Sequence, residues 1–174
     1  MSQIVIQAKT IATSSKGVQS NLHIYVGITL LVLFLIQAST DLRFEPLYQL
    51  QENFVYKQMS GIVFLSLLLN QWRLYINRSM KISGQMRQIL YSHRFYGAIS
   101  PMVLYLHAME LGYALQAALS VSYLLTVLSG LLTPYTWGIR HKVAINSWLI
   151  IHVLSAALAM GLLGFHIYVV YWFG

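Results

Sequence analysis

The sequence predicts an all-α integral membrane protein, built as a bundle of five transmembrane helices. Three observations support this fold class. Of the 174 residues, 57% are apolar and only 9% are charged, whereas a soluble domain usually carries about 25% charged residues. Five stretches are long and apolar enough to cross a bilayer. Basic residues gather in every second connection between these stretches, as membrane topology requires.

The five predicted spans are separated by turn signals. A helix needs about 20 predominantly apolar residues to cross the hydrocarbon core. The stretches that meet this requirement are residues 22–39, 57–76, 89–111, 114–132 and 143–173. Turn-forming residues stand in the connections between them: Pro46, Ser83 with Gly84, Gly112, and Thr133 with Pro134.

The last span, Pro101 and the N-terminal residues lead to three further expectations. The last span has about 31 residues, or roughly 46 Å of helix, so it should tilt or project beyond the membrane. Pro101 lies inside the third span, where a membrane helix can tolerate it by kinking. Residues 1–21 are polar and lack the basic-then-apolar order of a signal peptide. We expect them to form a tail before a transmembrane domain at residues 22–174.

Basic residues orient the five spans. Nine of the 11 lysines and arginines precede the first span, or lie between spans two and three or four and five or in the adjoining span ends: Lys9, Lys16, Arg73, Arg78, Lys81, Arg87, Arg94, Arg140 and Lys142. The positive-inside rule therefore places the N-terminus inside and the C-terminus outside. No basic stripe follows a soluble surface, so we expect no binding of nucleic acid.

Four histidines form two pairs with the same spacing. His93 and His107 lie 14 residues apart in the third span, and His152 and His166 lie 14 residues apart in the fifth. Over 14 residues an α-helix rises about 21 Å and turns roughly 40° short of four full turns. Each pair therefore lies on one helix face, near opposite sides of a bilayer. The predicted topology makes the two helices parallel, with His93 and His152 near the inner side.

Two imidazoles at each of two depths are the ligands that two six-coordinate b-type haems need. The alternative is that these histidines only form hydrogen bonds across the bundle, yet ionisable groups at membrane depth are costly and usually functional. Zinc fits poorly, because each level lacks an acidic or thiolate partner. The sequence has no cysteine, which excludes covalent c-type haem attachment. We therefore expect two haems b between helices three and five, bound by His93 with His152 and by His107 with His166.

Residues beside the histidines extend the predicted sites. Arg94 is adjacent to a ligand and is the first candidate to bind a haem propionate at the inner level. Gly97 lies one turn after His93 and would leave room for the porphyrin. The two remaining histidines, His23 and His141, are expected to stay unligated.

Short motifs around the ligands resemble a known family. The run HRFYG at residues 93–97, followed by LHA at 106–108, resembles the haem helix of ferric reductase-like transmembrane domains. The stretches IHV at 151–153 and FH at 165–166 resemble their second haem helix. Proteins of the ferric reductase and NADPH oxidase superfamily carry their ligands on helices three and five. The resemblance covers about residues 61–172 and implies electron transfer from the inner to the outer side.

The sequence departs from that family in one respect. Members typically continue through a sixth helix into a flavin and nicotinamide domain, whereas no Gly-rich dinucleotide fingerprint follows a predicted strand here. We therefore expect an oxidoreductase component that lacks its own flavin or NAD(P)H domain. Its donor on the inner side would be a protein, a flavin subunit or a quinol, and its acceptor would lie on the outer side.

The expected setting is a hetero- or homo-oligomeric complex in a bacterial inner membrane, a plasma membrane or an organellar membrane. Two alternative functions stay open at the level of sequence. One is a quinol- or quinone-reactive cytochrome b anchor of a larger complex. The other is a structural membrane subunit without haem.

Overall fold

The computed structural model describes residues 22–40, 42–80 and 86–173. The predicted tail at residues 1–21 and the predicted turn at Ser83 and Gly84 lie outside the described residues. Within the described part the chain is all-helical, without strands. Its helices are α1 (Leu22–Thr40), α2 (Glu45–Glu52), α3 (Phe54–Gln71), α4 (Arg73–Ser79), α5 (Met86–His107), α6 (Leu115–Leu131) and α7 (Lys142–Phe173), with a 3-10 helix at Pro134–Trp137.

Among the described residues, three helices are long and apolar enough to cross a membrane. They are α1, α6 continued through the 3-10 helix to Trp137, and α7, with mean hydropathies of 2.0, 1.7 and 2.0. The 32 residues of α7 correspond to about 48 Å of helix, which exceeds a hydrocarbon core of about 30 Å. Many of its apolar side chains are exposed, among them Ile150, Leu154 and Leu158. These features agree with the predicted location in a membrane.

The other predicted spans are also helical, but their ends differ from the prediction. The second span is divided between α3 and α4, because the helix is interrupted at Trp72. The third corresponds to α5, which contains Pro101 and ends at His107, before the predicted residue 111. After α5, Gly112 and Ala114 adopt positive φ angles of 74° and 46°, and α6 begins at Leu115.

The short helix α2 contacts the C-terminal end of α5. From the sequence, its residues were expected to be part of a connection. The buried side-chain amide of Gln51 donates to the carbonyls of Tyr105 (2.8 Å) and Leu106 (3.2 Å), and its Oε1 accepts from the N–H of Met109 (3.1 Å). The hydroxyl of Tyr56 also donates to the Leu106 carbonyl, at 2.9 Å. The last carbonyls of a helix lack intrahelical partners, so these side chains satisfy them and stop α5 near His107.

We expect Gln51→Met to destabilise the protein by about 1–3 kcal/mol, because it leaves the N–H of Met109 and the carbonyl of Tyr105 buried without these partners. The measurement is thermal unfolding in detergent, followed by circular dichroism. Gln49→Met is the matched control, since Gln49 is exposed and, in the part of the chain that the structure describes, its side chain bonds only to Glu45. Equal melting temperatures for the two variants would contradict this role of Gln51.

The buried core lies among four helices. It consists of side chains from α1, α3, α5 and α6: Leu31, Phe34, Phe64, Ala98, Leu104, Tyr123, Val127 and Leu131. The Tyr123 hydroxyl donates to Oγ of Ser100 at 2.7 Å, between α5 and α6. Helix α7 packs along α6 and contributes Ala159 to the edge of this core. It therefore stands beside the core rather than within it.

Candidate functional site

The four predicted ligand histidines lie on α5 and α7, and we call the space between these two helices the cleft. Helix α6 packs against both of them, but among the described residues no Cα of α5 lies within 8 Å of a Cα of α7. Directly packed helices have axes about 8–10 Å apart, so α5 and α7 stand further apart than a packed pair. Side chains, not backbone contacts, bridge the space between them.

His93 of α5 and His152 of α7 meet across this cleft. Their ring centroids are 6.2 Å apart and their planes are inclined at 83°. Imidazole nitrogens bind transition metals at about 2.0–2.1 Å, and a bound nitrogen lies about 1 Å from the ring centre, so an ion between two imidazoles needs centroids roughly 6 Å apart. The observed separation fits that requirement. The predicted inner pair is therefore brought together, while its role in binding haem stays a prediction.

A serine on α6 lies within hydrogen-bonding distance of the ring of His152. Nδ1 of His152 lies 2.9 Å from Oγ of Ser129. The Ser129 hydroxyl donates its single proton to the carbonyl of Thr126, at 2.9 Å. Oγ can then only accept from Nδ1, which leaves the lone pair of His152 on Nε2. Metal-binding histidines characteristically donate their other N–H to such an acceptor.

Two neighbours restrict the ring of His152 further. Trp148 stacks on it, with centroids 5.8 Å apart and planes at 11°, and donates from its indole Nε1 to the carbonyl of Ser129 at 2.6 Å. A Cβ added at Gly130 would lie 3.2 Å from Cε1 of His152. The imidazole is thus held between α6 and an aromatic side chain of its own helix.

His93 is held by the end of α3. Its Nδ1 lies 3.3 Å from the main-chain carbonyl of Gln71. A carbonyl only accepts, so Nδ1 carries the proton and Nε2 is left with its lone pair. Gly97 lies toward the same residue, since a Cβ added there would be 3.8 Å from Oε1 of Gln71. Gly97 therefore lies beside α3, and its predicted role next to a porphyrin is untested.

At the other end of α5, His107 repeats the arrangement of His152. Its Nδ1 lies 3.0 Å from Oγ of Ser60 in α3, and Ser60 donates to the carbonyl of Lys57 at 3.2 Å. A Cβ added at Gly61 would lie 3.1 Å from Cε1 of His107. Phe64 stacks on the ring with a centroid distance of 6.2 Å and an angle of 30°.

The remaining predicted site residues are less closely defined. His166 is half-buried on α7 and lies within electrostatic range of His107, but in the described part of the chain no ring contact joins the two. Arg94 is exposed beside His93. His141 is exposed in the connection before α7, in a position suited to a solvated side chain.

The donor set fits haem better than zinc. Within residues 22–40, 42–80 and 86–173, no group of three or more His, Asp or Glu side chains is placed to hold a metal ion. A tetrahedral zinc site needs three or four protein ligands. A haem iron needs two, because the porphyrin supplies the other four nitrogens. The pair of imidazoles at His93 and His152 meets that smaller requirement.

Comparison of the chain with protein-family models, with curated proteins and with solved structures finds no match. The resemblance to ferric reductase-like transmembrane domains thus stays a prediction from the short motifs around the four histidines. Haem binding by these histidines likewise stays a prediction.

The sequence analysis missed the residues that orient the ligands. Ser60 with Gly61, and Ser129 with Gly130, contact histidines from neighbouring helices. The available signal was a Ser-Gly dipeptide repeated within two apolar spans. The same dipeptide at residues 83–84 belongs to a predicted turn, so the pattern does not indicate a ligand contact unless the helix packing is known.

Proposed function

We propose that this chain is the membrane subunit of a redox system and transfers electrons across a bilayer through two b-type haems. The observation that carries the proposal is the pair formed by His93 and His152. These imidazoles lie 6.2 Å apart across a cleft, and both have Nδ1 bonded to an acceptor. With Nδ1 bonded in this way, each ring keeps its lone pair on Nε2, the nitrogen through which it would bind iron.

The proposed arrangement has five membrane crossings, by α1, α3, α5, α6 and α7, with the N-terminus inside. Contacts between the two predicted outer connections support it. Arg43, before α2, forms a salt bridge of 3.0 Å with Glu110, after α5, and Gln51 of α2 binds Met109. These two connections therefore lie at the same end of the molecule. Helices that cross a membrane in alternating directions place every second connection on the same side.

Each ligand pair has a distinct task in this proposal. His93 and His152 would hold the inner haem, and His107 with His166 would hold the outer one, about 21 Å away along the helices. When bound, the haems would supply the one-electron redox chemistry. Arg94 is the first candidate to pair with an inner propionate.

The electron donor is proposed to act on the inner side and the acceptor on the outer side. A donor of this kind is a partner protein, a flavin subunit or a quinol. The chain has no cysteine, so its own part in the redox chemistry depends on bound groups rather than on thiols. We accordingly propose that it works within a larger membrane complex.

The test is a haem determination on the purified full chain in detergent, with a reduced-minus-oxidised visible spectrum. We expect two haems b per chain and the low-spin bands of iron with two imidazole ligands. A folded, colourless protein would overturn the proposal and favour a structural membrane subunit. Rapid reduction by an added quinol analogue, blocked by quinone-site inhibitors, would identify a quinol as the donor.

A further inference from the structure

Two Ser-Gly dipeptides contact two of the four histidines in the same way. One is at residues 60–61 in α3, beside His107, and the other is at residues 129–130 in α6, beside His152. The serine Oγ lies 3.0 Å from Nδ1 of His107 in the first and 2.9 Å from Nδ1 of His152 in the second. A Cβ added at the glycine would lie 3.1 Å and 3.2 Å, respectively, from Cε1 of the same ring.

The hydrogen bonds have the same direction in both places. Each serine donates its only proton to a main-chain carbonyl three residues earlier, at Lys57 for Ser60 and at Thr126 for Ser129. Each serine oxygen is then an acceptor for the imidazole N–H. In this arrangement of protons each ring is the tautomer whose Nε2 carries the lone pair, which is the form that binds a metal.

The glycine in each dipeptide adds a steric restraint. Separations of 3.1–3.2 Å from the added Cβ to the ring are tighter than van der Waals contact between carbon atoms, which is optimal at about 3.5–4.0 Å. Only glycine lets the helix backbone approach the imidazole edge this closely. The backbone of α3 therefore lies against one edge of the His107 ring, and the backbone of α6 lies against one edge of the His152 ring. In each case the serine contacts the neighbouring Nδ1.

Building on the proposed function, we propose that these two Ser-Gly dipeptides are positioning elements, one for each haem. Ser129 and Gly130 orient His152 for the inner haem, and Ser60 and Gly61 orient His107 for the outer one. The other ligand of the inner pair, His93, is held by the carbonyl of Gln71. Each haem would therefore have one ligand whose orientation and basicity depend on a serine hydroxyl.

The chemical consequence concerns the electron affinity of the iron. An acceptor on Nδ1–H makes the imidazole a stronger donor of electron density, which favours the ferric state. Removal of the serine hydroxyl should weaken that donation and raise the midpoint potential of one haem. A merely structural serine would not shift the potential of the haem that it neighbours while leaving the other unchanged.

The experiment compares Ser129→Ala, Ser60→Ala and Ser66→Ala in the full chain. Haem content and the midpoint potential of each haem are measured by spectroelectrochemical titration. The inner haem is identified as the one retained in His107→Leu. Ser66 is the matched control, because it lies on α3 and, among the described residues, bonds only to the carbonyl of Ile62 in its own helix.

We expect Ser129→Ala to weaken retention of the inner haem by about 10–100-fold and to raise its potential, with the outer haem unchanged. Ser60→Ala should do the reverse, and Ser66→Ala should change neither. Ser129→Thr keeps the hydroxyl and should retain the wild-type potential. If Ser129→Ala fails to fold, Gly130→Ala provides the second test, since its methyl group should displace the ring and change the inner haem alone.

The outcomes separate this inference from the proposed function. Two haems in the wild type, with unchanged content and potentials in Ser129→Ala and Ser60→Ala, would overturn the positioning role and leave electron transfer standing. A Ser129→Thr potential equal to that of Ser129→Ala would also overturn it. A wild-type chain without haem would overturn the proposed function itself.

Discussion

His152→Leu is expected to reduce the haem content from two per chain to one, with loss of the inner haem. Leucine has a similar size but no lone pair, so it leaves His93 without the second imidazole that lies 6.2 Å away. Since iron with one of its two axial ligands removed is held weakly and becomes high-spin, the loss should be visible in both stoichiometry and spectrum. The measurement is haem per chain on purified protein, with its reduced-minus-oxidised spectrum.

Two further variants make this result specific. His107→Leu should remove the outer haem and keep the inner one, so the two single variants should retain spectrally distinct haems. His141→Leu is the control, because His141 is exposed in the connection before α7 and should be dispensable for both. Retention of two haems by His152→Leu would show that the proposed ligand assignment is wrong.

The helices that were predicted best are those with the highest mean hydropathy. The stretches that became α1, α6 and α7 have mean hydropathies of 2.0, 1.7 and 2.0, and turn signals at Gly112 and at Thr133 with Pro134 bound α6 on both sides. Helix α2 could not be predicted in this way. It has only eight residues, and it is stabilised by the bonds of Gln51 to the distant end of α5.

The interruption between α3 and α4 could not be predicted from the sequence either. No proline or glycine marks Trp72, so hydropathy predicted one continuous span across it. The carbonyl of Gln71, at the end of α3, binds His93, so this break lies at the candidate site itself. Main-chain contacts of this kind depend on tertiary packing and have no signature in the order of residues.

The histidine pairs were predictable because helical spacing is a local property. A separation of 14 residues places two side chains on one face whatever surrounds them. Their serine partners were not predictable, since Ser60 and His107 lie 47 residues apart in sequence and Ser129 and His152 lie 23 apart. Only the packing of α3 on α5 and of α6 on α7 brings each serine to its histidine.

Gly27→Val is expected to destabilise the helical bundle, because Gly27 is buried where α1 meets α5 and α6. A Cβ added at this glycine would lie 2.5 Å from Cδ2 of Leu131, and 3.1 Å and 3.2 Å from Cβ and Cα of Ala98. The end of the Leu131 side chain can move away. The backbone at Ala98 cannot, so α1 must shift, at a cost of about 1–3 kcal/mol or more for overpacking.

Gly161→Val is the control for this substitution. Gly161 is also an interior helical glycine, but a Cβ added there meets nothing within 4 Å. Both variants replace glycine by the same β-branched residue within a long apolar helix, so their difference in melting temperature isolates the packing around Gly27. We expect Gly27→Val to unfold at the lower temperature when both are heated in the same detergent.

Gly27→Val should change the haem content differently from His152→Leu, which removes one ligand histidine. Ala98, which is 1% exposed, lies on α5 between His93 and His107, so a displaced α5 disturbs both proposed haem levels together. Gly27→Val should therefore weaken retention of both haems in parallel with its lower melting temperature, whereas His152→Leu removes one. Equal melting temperatures for Gly27→Val and Gly161→Val would show that α1 does not pack on α5 at this glycine.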